Sequence, residues 1–575
     1  MIHDEIALPD SSRVSPDSKT DSFYPTRLIY VGDSIGGICR LIESGSDGLP
    51  DLGAKPLYVA LSYCWGPPEA AARQFKTLNS TYSAYSSGFR PEATTSLIHD
   101  AILLVQTLGI PYLWVDAICI IQDSKTDWEQ ESKEMARVYR NAHLTICTTG
   151  SASCRQGFMD RSMTVASIRF SSKIDKCVNG RFNIRCGSPT ENHQLSDMDS
   201  LRRNVKMSFW STRAWTFQEC SLSRRILFIG TNRIYFVTPN RSRIEGDSEA
   251  VADSWDEIDL GSRLIPGYDH HEEQEAWDYN RQYAIYSFSR LSLTVASDKL
   301  PAFSGIASLA YGSHPDRYLA GLWKDSLYKD LFWAADPFSS GIVMSKQSLL
   351  DAMQCPNQYI APSWSWASRP HGVDFLAPNF GSSKFHDWSS WRPEYDSLEA
   401  WASPAGLNPF GEVTSGGVRI TGRAVNIPHE TYLLKDESWR NKRYKVIMGN
   451  RYFAYIRFDW NVWDESDKFT GMLMVLIGSC IAHDDNDQME ASAENTGNRD
   501  NNSYISESER EDTASYDLDS TLACRAGARY AWGIVVHPAM ESGKYIRVGL
   551  FSSWPKGKGG LECFQSEKVQ TIEII

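Results

Sequence analysis

The chain lacks most of the features that assign a protein quickly. It holds twelve cysteines in 575 residues, yet no CxxC pair and no Cys/His set at zinc-finger spacing. That excludes the common metal-stapled folds and leaves no metal site to expect. Met1 to Pro16 is acidic and polar, so no secretory signal is read there. No apolar run approaches the roughly 20 residues that a membrane helix needs. No period repeats. Basic charge is also scarce: the formal net charge is −13, which excludes a nucleic-acid footprint. Even this acidity is local. Between His483 and Ser520 twelve acidic residues meet two arginines, a net −10 that leaves −3 for the rest. A dedicated surface for a basic partner does not follow. The expectation is a soluble, cytoplasmic protein with reduced thiols and no membrane partner.

What is present is folded sequence on a large scale. Nineteen Trp and 42% hydrophobic residues supply more than one core, and the length favours several units. Residues 1–25 read as a disordered leader and 26–56 as a β-hairpin lead-in around Gly32-Asp-Ser-Ile-Gly-Gly37. From residue 57 strands and helices alternate. Leu57–Tyr63 is a buried-strand pattern. A helix follows with Leu97, Ala101, Leu104, Val105 and Leu108 on one face, stopped by Gly109. Tyr112–Ile121 reads as a strand covered on both faces, interrupted by Asp116. Asp123 or Ser124 caps the next helix, which carries Trp128, Met135, Val138 and Tyr139; Leu144–Thr148 and Arg225–Ile229 are further strands. The stretch up to Met207 reads as irregular and basic. The alternation predicts an α/β domain over 57–235 with a mainly parallel sheet and flanking helices. Residues 236–350 read as helical, with helices at Ala276–Leu291 and Gly305–Trp333. Residues 351–575 read as β-rich, with a disordered acidic insert at 483–520.

Trp215-Thr-Phe-Gln-Glu219 carries the sharpest chemical hint. In a helix the four-residue spacing puts Trp215 and Glu219 on one face, the indole in a core and the carboxylate beside it. Arg213, Arg224 and Arg225 are the cations within reach. Glu219 is thus either a reacting carboxylate or one half of a structural ion pair. Asp116, inside an apolar run, must be hydrogen-bonded or exposed at a strand end. It either orients a ligand or ties strand to loop. Ser62, Tyr63 and Trp65 end the first strand, where Gly66-Pro-Pro68 forces an exit. The Tyr63 and Trp65 rings either stack on a ligand or plug a domain interface. Gly32-Asp-Ser34-Ile-Gly36 has the G-x-S-x-G form of a hydrolase nucleophile elbow, but the run after it reads as a strand, whereas an elbow needs a helix. His99 and His143 have no partners at metal spacing. Trp364 and Trp366 alternate with Ser, which reads as two rings on one side of a strand.

Three motifs in order carry a resemblance. Leu61-Ser-Tyr-Cys-Trp-Gly66, Leu113-Trp-Val-Asp-Ala-Ile-Cys-Ile120 with Gln122-Asp123, and Arg213-Ala-Trp-Thr-Phe-Gln-Glu219 with Leu222-Ser223 and Arg225 are similar to the signatures of the fungal heterokaryon incompatibility (HET) domain. Asp298–Ala302, Tyr318–Trp323 and Ala361–Ala367 resemble the extension that follows it in large members. The resemblance implies nonself recognition between fungal individuals, ending in programmed cell death. The family is distantly similar to Toll/interleukin-1 receptor (TIR) domains, which implies a TIR-like, flavodoxin-like sheet. Some TIR domains cleave NAD at the nicotinamide–ribose bond with a Glu four residues after a Trp, the spacing of Trp215 and Glu219. The implied activity is NAD glycohydrolysis: Glu219 is catalytic, Ser62, Tyr63, Trp65, Asp116, Arg213 and Trp215 line the pocket, and NAD is a substrate rather than a bound cofactor. A non-enzymatic module that self-associates or meets other incompatibility proteins is the alternative, and a hydrolase using Ser34 the second.

Overall fold

The computed structural model describes residues 23–32, 34–44, 57–160, 165–174, 178–185, 201, 204–238, 241–245, 274–311, 314–336, 344–375, 386–427, 432–436, 443–448, 451–460, 469, 471–482, 527–555 and 559–575. The leader up to residue 22 and the acidic insert at 483–520 lie outside them. Two units divide the chain. One takes residues 1–271, 291–294 and 301–310; the other takes 272–290, 295–300 and 311–575.

The first unit is built on an eight-stranded sheet. Its strands are β1 (Arg27–Tyr30), β2 (Arg40–Glu43), β3 (Tyr58–Ser62), β4 (Tyr112–Trp114), β5 (Leu144–Cys147), β8 (Ile226–Ile229), β9 (Ile234–Thr238) and β10 (Arg241–Ile244), with β6 (Val165–Ser171) and β7 (Asn179–Arg185) forming a separate hairpin. The order is β10-β9-β8-β5-β3-β4-β1-β2. Only β4, β3, β5 and β8 pair in parallel. The hairpins at both flanks are antiparallel. The sheet is therefore mixed, not mainly parallel. The cause is connection length: β8–β9 and β1–β2 are joined by short turns, and short turns close only antiparallel pairs. Arg27–Tyr30 and Arg40–Glu43 are strands of this sheet, and Ser34 is exposed between them. A strand follows Ser34, so the elbow geometry is not met.

Every residue of β3, β4, β5 and β8 is buried, as expected of central strands with both faces covered. Helix Ser96–Thr107 buries Leu97, Ile98, Ala101, Ile102 and Val105, and Gly109 ends it at φ +69°. Ser124 Oγ accepts from Asp127 N at the start of helix Lys125–Asn141. The strand expected over Tyr112–Ile121 stops at Trp114. Asp116 instead opens a one-turn helix, Asp116–Cys119, and its Oδ1 accepts from Ala117 N at 2.6 Å. A short acceptor side chain at a helix start outcompetes the strand here. The stretch expected to be irregular contains the β6–β7 hairpin.

In the second unit, helix Gln274–Ser289 forms as expected. The helix expected over Gly305–Trp333 instead spans Lys299–Tyr311, most of it (301–310) counted with the first unit. Beyond it Pro315 opens a 3-10 turn, and Tyr318–Leu319 and Leu322–Trp323 pair across Ala320 at φ +47° and Gly321 at φ +97°. A ten-stranded, almost wholly antiparallel sheet holds the β-rich remainder. Trp364 and Trp366 are not on a strand. Ser365 Oγ accepts from Ala367 N and closes a 3-10 turn, Trp366–Ser368. Both rings are fully buried, and the Trp366 indole donates to Gly321 O at 2.8 Å. No described helix is long and apolar enough to cross a membrane.

Candidate functional site

The three motifs meet at the carboxyl ends of the parallel strands. Ser62 is the last residue of β3, Asp116 lies two residues past β4, and Glu219 sits in helix Ala214–Ser221, which precedes β8. That helix is buried at Ala214 and from Thr216 to Ser221. Its start is held by the returning chain: Ala214 N donates to Ser292 O at 3.0 Å and Ser292 N to Thr212 O at 2.7 Å. Further along, Gly305 N donates to Gln218 Oε1 at 3.1 Å.

Glu219 is 8% exposed. Its Oε2 accepts a hydrogen bond from Ser62 Oγ. Ser62 has one proton to give, and the direction is set from behind. Trp210 Nε1, a donor only, donates to Ser62 Oγ at 2.8 Å. The hydroxyl must therefore point at the carboxylate. Tyr139 stands beside Glu219 and donates to Leu61 O at 3.2 Å. Among the described residues no arginine pairs directly with Glu219. Arg213 Nη1 donates to Tyr63 O at 2.6 Å and acts on Glu219 through its charge. Arg225 lies against His143, 3.3 Å from Nδ1. The structural ion pair offered for Glu219 is thus replaced by a serine.

Asp116 completes the cluster. Trp65 Nε1 donates to its Oδ2 at 3.0 Å, and the Tyr63 hydroxyl reaches it too. Tyr63 is buried, and Gln74 Nε2 donates to its hydroxyl. Trp65 is half-buried and spends its indole N–H on Asp116 rather than leaving it for a ligand.

Burial dominates the electrostatics. It pushes the Glu219 carboxyl up from 4.5 to about 7; Ser62, Arg213 and Tyr139 oppose the shift, and the Asp116 charge adds to it. Burial likewise raises Asp116, against the Ala117 amide, Arg213, Trp65 and Tyr63. For Arg213 burial alone would lower the value, but Cys64, Glu219 and Asp116 outweigh it and raise it. Two carboxylates share one guanidinium, so near neutrality one proton is easily gained or lost. A carboxyl poised there can be a proton carrier or a charge stabiliser.

The structure thus brings together Ser62, Tyr63, Trp65, Asp116, Arg213 and Glu219. Trp215 is the exception. It is half-buried, the outward residue of an otherwise buried helix, and the indole anchored in the core is Trp210. The sequence reading places Tyr139 only on a helix face and does not single out Trp210 or Gln74. Trp210 sits in a stretch without periodicity, and its partner is 148 positions away. Among the described residues no three His, Cys, Asp or Glu are grouped to hold a metal ion.

Residues 58–219, less than a third of the chain, match the family model described as heterokaryon incompatibility protein (HET). No curated protein and no solved structure matches the chain. The matched span runs from the first residue of β3 to Glu219 and so holds Ser62, Asp116, Arg213 and the carboxylate they surround. The chain carries a heterokaryon incompatibility (HET) domain over residues 58–219.

Proposed function

We propose that this chain acts in heterokaryon incompatibility as a cytoplasmic effector of cell death, and that its HET domain cleaves NAD at the nicotinamide–ribose bond. One observation carries the reading: Glu219, held at about 7, lies among Ser62, Asp116 and Arg213 at the carboxyl ends of parallel strands. In chain order those four strands run 2-1-3-4. That is how a flavodoxin-type sheet begins, and ligands of such sheets bind outside the carboxyl ends where the order reverses. The reversal lies between β3 and β5, and Ser62 ends β3. This supports the TIR-like comparison as well.

The chemistry asks for one negative charge at the right place. The bond from ribose C1′ to the pyridinium nitrogen breaks, and its electron pair neutralises the leaving nicotinamide. Positive charge develops on the ribose, and the ionised Glu219 stabilises it. Water adds at C1′, giving ADP-ribose and a proton. Ser62 holds the carboxylate in place, and the Arg213 charge favours its ionised form against the effect of burial.

The near-complete burial of Glu219 favours a second reading. A carboxylate 8% exposed and already bonded to Ser62 also suits a rigid module that signals by self-association or by meeting other incompatibility proteins. Nicotinamide release by the purified chain separates the two. Turnover that disappears in Glu219→Gln supports the enzyme. No turnover at high protein concentration, assembled or not, supports the module.

A further inference from the structure

A second site in the HET domain lies away from Glu219. Between β3 and helix Ser96–Thr107 the chain walls a cleft of about 350 Å³, within the range of small-ligand pockets. Two cations line it, Arg73 and Lys76, and no acidic residue does. Neither cation has a hydrogen-bond or ion-pair partner among the described residues. Cations crowded without an acid gain from an anion placed between them. Thr95, at the N-cap of the twelve-residue helix, also lines the cleft. Its side chain does not cap the helix and turns to Gln74 Oε1 at 3.5 Å. The partial positive charge of that helix end adds to the same field.

The wall is not only charged. Phe75 and Tyr85 stack with centroids 4.5 Å apart and planes at 23°, both half-buried and both lining the cleft. An aromatic stack beside two cations on one cleft suits a ligand with a planar ring, which can extend the stack, and a phosphate. We propose that this cleft binds a nucleoside monophosphate, its phosphate between Arg73 and Lys76 and its base against Phe75 and Tyr85. The volume suits one nucleotide unit. The cleft is also wired to the carboxylate cluster. Gln74, 5% exposed, forms part of its wall and donates to the Tyr63 hydroxyl, whose main-chain oxygen holds Arg213. Binding at the cleft does not depend on whether Glu219 cleaves NAD.

The test is calorimetric titration of the full chain with AMP, and separately with inorganic phosphate. Saturable AMP binding is expected, weakened at least about tenfold in Arg73→Gln/Lys76→Gln. Phe75→Leu is expected to weaken AMP and leave phosphate unchanged. Both cations are at the surface of the cleft, and circular dichroism confirms folding of each variant. No saturable AMP binding at millimolar concentration, or AMP binding indifferent to the double substitution, overturns the proposal. Phosphate binding as tightly as AMP overturns the nucleoside part.

Discussion

The two units each bury a cluster of charge and do opposite things with it. In the HET domain two carboxylates, Glu219 and Asp116, share one guanidinium, and burial brings Glu219 to about 7. In the second unit the arithmetic is reversed. Arg369 and Arg547 share the single carboxylate of Asp459, at 2.9 and 2.6 Å, all three fully buried. Most of the remaining donors are matched to fixed acceptors, Arg547 Nε excepted. Arg369 gives to Arg547 O at 2.6 Å and to Ser368 Oγ at 2.8 Å, Arg547 gives to Trp333 O, and its guanidinium lies 3.5 Å over the Trp333 ring. Lys299 gives to Arg369 O. Guanidinium groups answered by carbonyls and rings are scaffolding. A carboxyl bonded to a serine hydroxyl and left at the edge of ionisation can still change its charge.

The largest effect should come from the scaffold. Asp459→Asn leaves two buried guanidinium groups without a counter-charge and should cost about 3–5 kcal/mol, seen as a lower denaturant midpoint. An unchanged midpoint would dissolve the contrast. Next, Glu219→Gln should cut nicotinamide release by about a hundredfold or more, while raising stability at pH 8 by about 2–3 kcal/mol, because a carboxyl held at about 7 is strained when ionised. Equal activity with unaltered stability would place Glu219 with the scaffold.

Stability against pH sharpens the comparison further. Glu219 keeps its proton to about 7 when folded, against 4.5 ordinarily. Between those values the native state binds more protons, so stability falls as pH rises. Burial, and then the Arg369 charge, lowers Lys299 from 10.5 to about 7. There the unfolded state binds more protons, so stability rises from about pH 7 to 10.5. Glu219→Gln should erase the first slope and Lys299→Met the second, measured by urea unfolding across pH. The smallest effect is that of Ser62→Ala, about 1 kcal/mol from one lost hydrogen bond. It should also move the pH midpoint of activity upward, since Ser62 favours the ionised carboxylate. A downward move would contradict the bond's direction.

Much of this was legible in the residues. The apolar runs located β3, β5 and β8, and the spacing of leucines located helix Ser96–Thr107, because burial on one or both faces leaves a local imprint. The motifs named Glu219 and five of the residues that meet around it. The partners that give the cluster its character left no such imprint. Trp210 looks like any tryptophan until it is found behind Ser62, and Gly305 gives no sign that its amide is meant for Gln218. Asp116 was noticed as an oddity, yet its resolution as the first residue of a helical turn depended on a side-chain acceptor competing with a strand. Trp215 was misplaced because an i, i+4 pair fixes a shared face, not which residue of the pair sinks deeper.

The clamp on the Ala214–Ser221 helix has a bearing on time. Its Ser292 and Gly305 partners come late in the chain, the latter 87 positions after Gln218. On a ribosome adding about 5–20 residues per second, all three motifs emerge seconds before the segments that hold the helix in place. The newborn domain therefore spends those seconds with its glutamate in sequence but not yet in register, so whatever Glu219 does waits for the later chain.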